Sequence, residues 1–147
     1  MQKLITAIFV SLLFAQCTEV NVIEQPAGAP VLEYVDIQPK NVTEFVDSIL
    51  ITIRYSDPDG DLGYEDPDIK PLTIQDLRLQ KADSQHVGLL APLDHHLNIT
   101  GELTVKLKNT FLLGTSDNEV TSYELTISDR AGNRSNRIVT DQISITR

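Results

Sequence analysis

Residues 55–68 read YSDPDGDLGYEDPD and crowd six carboxylates, Asp57, Asp59, Asp61, Glu65, Asp66 and Asp68, among Pro58, Gly60 and Gly63. Carboxylates at this spacing repel one another unless water, an arginine or a cation stands between them. Calcium takes six to eight oxygen ligands, and acids at alternate positions of one short loop present them. Asp57, Asp59 and Asp61 fall at positions 1, 3 and 5 of an EF-hand-like spacing, with Glu65 and Asp68 at positions 9 and 12. The match fails at position 6, where Leu62 stands in place of glycine. A solvated turn is the plainer reading, since Asp, Pro and Gly all favour turns. A catalytic carboxyl pair would need one acid sheltered in a cleft. This loop reads as wet, with Tyr64 its one aromatic wall, so no catalytic residue is assigned and no enzyme is expected.

Other chemistry is sparse. His86, His95 and His96 read as surface histidines, because adjacent residues of an extended segment point to opposite faces and no cysteine completes a structural zinc site. There is no GxSxG elbow, phosphate-binding glycine loop or dinucleotide fingerprint. With no Trp and four Tyr, a glycan-binding platform is weakly supported. The formal charge of −9 argues against nucleic acid and against electrostatic docking on anionic lipid.

The chain opens MQKLITAIFVSLLFAQC. Lys3 and the amino terminus precede a short apolar run, Leu4 to Ala15, which suits a secretory signal and is too short to span a bilayer. Cys17, the one cysteine, follows at once, and this arrangement resembles the end of a bacterial lipoprotein signal. Gln16 and Phe14 depart from the usual residues before the lipidated cysteine. The resemblance implies a signal peptide over 1–16 and a lipidated Cys17, with membrane attachment through the lipid. Residues 17–30, rich in Pro and Gly near their end, read as a flexible tether.

From residue 31 a period of two dominates. Ile49, Ile51, Ile53 and Tyr55 alternate with Thr52 and Arg54; Leu103, Val105 and Leu107 alternate with Thr104 and Lys106; Tyr123, Leu125 and Ile127 alternate with Glu124 and Thr126. Each pattern predicts a strand with one buried face. Strands are expected over 31–37, 48–55, 72–80, 102–108, 121–128 and 136–145. Parity shifts between Ile74 and Leu77 and between Ile138 and Ile143 predict bulges. Residues 82–100 carry no readable pattern. Short strands joined by turn-rich loops predict an all-β antiparallel sandwich over 31–147.

The segment SYELTISDRAGNRSN resembles the last hairpin of bacterial immunoglobulin-like domains, and ITIRYSDPDGDLG resembles the B strand and following loop of small immunoglobulin-like lipoproteins of Bacteroidota. The resemblance implies an immunoglobulin-like sandwich anchored at the bacterial cell envelope, on the outer membrane. In such a sandwich the B–C and F–G loops share one end. Residues 56–71 would then lie near Asp129, Arg130, Asn133 and Arg134. Three arrangements follow: a calcium site of Asp57, Asp59 and Asp61 with Asp129 adding a ligand; a latch in which Arg130 or Arg134 pairs with the acids; or a solvated acidic loop. The expected role is a structural or interaction module with an envelope protein as partner. The alternative is a small ligand- or glycan-binding accessory lipoprotein.

Overall fold

The computed structural model describes residues 26–93, 96–108 and 110–147, and over them the chain is an all-β sandwich. The signal segment 1–16 and Cys17 lie outside the described residues. The strands are β1 (Val31–Gln38), β2 (Asn41–Thr43), β3 (Ile49–Asp57), β4 (Leu72–Asp76), β5 (Asp83–Gln85), β6 (Ile99–Leu107), β7 (Asn118–Thr121), β8 (Tyr123–Ile127), β9 (Ile138–Val139) and β10 (Ile143–Thr146).

One sheet has the order β1-β3-β6, all antiparallel. A second runs β5-β4-β8-β9, and a third β2-β10-β7. The last two are successive stretches of the same chain runs, because β7 leads into β8 and β9 into β10. Leu125 faces Ile138 and Glu124 faces Val139, while Thr121 faces Ile143. Between these pairs one strand has Thr140, Asp141 and Gln142 and the other only Ser122 and Tyr123. That extra residue is the bulge expected between Ile138 and Ile143. The first strand changes partner midway: β1 pairs with β3, and after Lys40 the chain pairs as β2 in parallel with β10.

The core lies between the sheets and is aliphatic. Ile37, Ile49, Ile51, Ile53, Leu125, Ile143 and Ile145 are wholly or almost wholly buried, and Val105 and Ile127 join them. The alternation read for β3, β6 and β8 therefore points inward at the expected positions.

Five expectations change. The strand from Leu72 stops at Asp76, because the Leu79 N–H turns back to the Asp76 carbonyl at 2.8 Å. The parity shift before Leu77 marks that turn, with no bulge there. A bulge the alternation did not announce sits at Val35, between the pairs Tyr34–Ile53 and Asp36–Thr52. The unpatterned stretch contains β5, whose residues DSQ have no apolar face to alternate, and β6 begins at Ile99, ahead of the expected 102. Thr126 is buried on the face expected to meet solvent, since the Arg134 guanidinium lies over it and donates to its Oγ1 at 2.8 and 3.2 Å. Finally, residues 26–30 form a turn closed by Ala29 N–H to Pro26 O at 3.0 Å, with Ala29 and Pro30 buried. The packed domain thus includes residues before 31.

Candidate metal centre

β3 ends at Asp57, and the chain must leave the sheet there without exposing the core. Leu62 does this: its side chain is wholly buried, and its N–H donates to Asp57 Oδ2 at 3.0 Å. Gly60 and Gly63 take left-handed φ values of 71° and 86°. A β-carbon at Gly60 would meet the Leu97 carbonyl at 2.3 Å, and one at Gly63 the Gly88 carbonyl at 2.1 Å. Only glycine permits both the conformation and the approach. The Tyr64 N–H to Val87 O and Leu90 N–H to Leu62 O bonds fasten the loop to the following segment.

The turn after β8 closes over this loop. Arg130 N–H donates to Asp61 O at 3.2 Å, Ala131 N–H to Asp61 Oδ2 at 2.9 Å, and Tyr64 Oη to Asp129 O at 2.8 Å. Asn133 holds Asp129 through its backbone N–H to Oδ1 at 2.7 Å and its amide Nδ2 to Oδ2 at 2.9 Å.

Four carboxylates result, Asp57, Asp59, Asp61 and Asp129, each offering an oxygen within 4.8 Å of the others. These are the four acids considered for calcium from the sequence. Asp57 and Asp129 are wholly buried. Oδ1 of Asp57, of Asp59 and of Asp61 is buried and has no hydrogen-bond partner. Two ions at this separation repel by about 3 kcal/mol at an effective dielectric of about 20. Burial, followed by the adjoining Asp59 carboxyl, pushes Asp57 up to about 6. Burial also raises Asp61, with the charges of Asp129 and Asp59 adding to it. The cluster therefore demands positive charge, supplied either by a proton or by a cation.

The geometry suits a cation. Oxygens bound to one calcium at about 2.4 Å lie no more than about 4.8 Å apart. Backbone and amide donors already orient Asp57, Asp61 and Asp129, as outer-shell groups orient metal ligands.

Other candidates are placed elsewhere. Glu65, Asp66 and Asp68 are exposed and stand outside the cluster, so the EF-hand-like spacing ends after its third acid. The arginine latch takes another form. Arg130 Nη1 donates to the Gly63 carbonyl at 3.0 Å and lies 3.5 Å from that of Leu62, and Arg134 serves Thr126; among the described residues neither forms an ion pair with an acid. The loop expected from composition to be solvated is buried at its centre. His86 Nδ1 lies 2.9 Å from the Ile69 carbonyl, away from the four acids, and His95 falls outside the described residues.

A second buried polar group had no signal in the sequence. Arg78 bridges Asp76 at 2.7 Å and Glu119 at 2.6 Å and donates to Phe111 O at 3.1 Å. It borders a cavity of about 70 Å³ with Thr110 and Tyr123. Burial acts to raise Asp76, but hydrogen bonds from Arg78 and Thr121 outweigh it and hold the carboxyl low. A paired acid whose carboxyl is held low in this way is structural and ill suited to donate a proton near neutral pH.

No family model, curated protein or solved structure matches the chain.

Proposed function

We propose that this protein is a lipid-anchored, calcium-stabilised interaction module of the bacterial envelope, attached through Cys17. The observation that carries the calcium reading is the convergence of three buried, unpartnered carboxylate oxygens beside Asp129. An anionic cage of this kind is costly when empty and favourable when it binds a hard cation. The immunoglobulin-like reading is supported by the partition of strands, with β1, β3 and β6 in one sheet and β4, β8 and β9 in another.

The interaction role rests on the opposite end of β3. Phe45 and Val46 are 67% and 75% exposed, and Phe45 stacks on Phe111 with ring centroids 6.3 Å apart. Phe45 holds φ at 57°, a conformation that aromatic residues rarely adopt. The chain enters the domain at the acidic end, so a lipid anchor would leave this apolar tip facing away from the membrane. That arrangement suits contact with a protein partner.

Thermal melts with EDTA, calcium and magnesium test the metal. Calcium should stabilise by about 2.7 kcal/mol at a hundredfold excess over Kd, and magnesium much less, because it dehydrates reluctantly. A flat response to millimolar calcium ends the calcium reading. Mass spectrometry of the mature protein tests the anchor, and an unmodified Cys17 ends that part.

A further inference from the structure

The turn 26–30 lies against the acidic cluster. Gly28 adopts a φ of 89°, and a β-carbon on it would sit 2.9 Å from Asp59 Oδ2 and 3.9 Å from Asn133 Nδ2. Asn133 is the residue that holds Asp129. Asp59 is the one cluster acid with no backbone or amide donor on its carboxylate among the hydrogen bonds of the described residues. What stands against its Oδ2 is Gly28, and its Oδ1 is left buried and unpartnered toward the other acids. The turn itself is held by one internal hydrogen bond and by the burial of Ala29 and Pro30.

We propose that the turn 26–30 is the closing wall of the cation site, so that calcium at Asp57, Asp59, Asp61 and Asp129 locks the point where the chain enters the domain. This rests on the calcium reading above and extends it from stability to regulation. Without a cation, charge repulsion drives Asp59 away from its neighbours and toward Gly28, loosening the turn. With a cation, Asp59 is drawn inward and Gly28 closes behind it. The coupling is reciprocal: if calcium stabilises the docked turn, the docked turn tightens calcium by the same factor.

The test uses the full mature chain, with calcium chloride as the probe. Calorimetry measures binding, and hydrogen exchange measures the amides of Ala27, Gly28 and Ala29 with calcium and with EDTA. In the wild type, calcium should slow exchange of these amides by about tenfold or more. Gly28→Ala should weaken calcium binding by about tenfold and lose most of that slowing. Gly114→Ala is the control, because Gly114 stands outside the acidic cluster and a β-carbon there meets only Glu119 Oε1, at an ordinary 3.5 Å. It should keep the calcium-dependent slowing. Calcium binding with unchanged exchange at 27–29 overturns the lock and leaves the cation site standing, as does wild-type affinity in Gly28→Ala. No heat of calcium binding in the wild type overturns both. Should Gly28→Ala fail to fold, the wild-type exchange with and without calcium decides the matter alone.

Discussion

The wholly buried Leu62 donates its backbone N–H to Asp57 Oδ2 at 3.0 Å and accepts the N–H of Leu90 on its carbonyl at 3.2 Å. One residue thereby plugs the end of the core, orients one of the two wholly buried acids and ties the loop to its neighbour. Leu62→Ala should cost about 2–5 kcal/mol in urea unfolding with EDTA. It should cost more in calcium, because the loop that presents the ligands is also released. Equal losses in the two conditions would mean that the loop is positioned without this anchor.

The pH dependence of the cation-free protein follows from Asp57, whose carboxyl is raised from 3.8 to about 6 by burial and then by Asp59. Between those values the folded chain binds a proton that the unfolded chain has released. Stability from this group is therefore present at low pH and lost as pH rises toward 6. Asp76, Glu119 and Asp141 are lowered and act in the opposite sense, so the difference between wild type and Asp57→Asn isolates the effect. In EDTA, Asp57→Asn should gain on the wild type as pH rises from 4 to 7, a range chosen to bracket the shift. Calcium should reverse the ranking at pH 7, since the wild type alone keeps the full ligand set. Parallel curves for the two proteins would remove Asp57 as the titrating group.

Arg78, Asp76 and Glu119 have side chains only 13%, 10% and 18% exposed. Removing the guanidinium leaves two sheltered carboxylates without their counter-charge. Arg78→Ala should destabilise by about 3–5 kcal/mol. Because Asp76 is held low by its partners, the wild-type contribution should fade as pH drops through the acid range. Chemical denaturation at neutral and acidic pH measures both. A loss below about 1 kcal/mol would place this group with weak surface pairs.

The faces of the strands can be weighed by truncation. Ile51→Ala and Leu125→Ala should each cost about 2–5 kcal/mol, and the more exposed Thr52→Ala within about 0.5 kcal/mol. Thr126→Ala should fall between, at about 1–3 kcal/mol, because it leaves the Arg134 guanidinium without its acceptor. A Thr126→Ala midpoint equal to that of Thr52→Ala would show that the covering arginine finds water instead.

Much of the sandwich was determined by the sequence alone, because alternation is a local property of the pleated backbone. Ile49, Ile51 and Ile53 face inward whatever β3 pairs with, and so do Leu125 and Ile127 in β8. The trio Asp57, Asp59 and Asp61 was legible for the same reason: one short loop keeps its acids together in any fold. Asp129 entered only through the resemblance that joins the two loop ends. What remained hidden depends on contacts between distant segments. Arg130 seeks the carbonyls of Leu62 and Gly63 rather than an acid, and Arg78 gathers Glu119 from 41 residues away. The turn 26–30 read as tether because its few apolar atoms carry no period, yet Ala29 and Pro30 are buried. Composition reports which groups need a partner or a cover. Only the tertiary structure decides which one each finds, because burial removes water as the alternative and leaves the nearest complementary group to take its place.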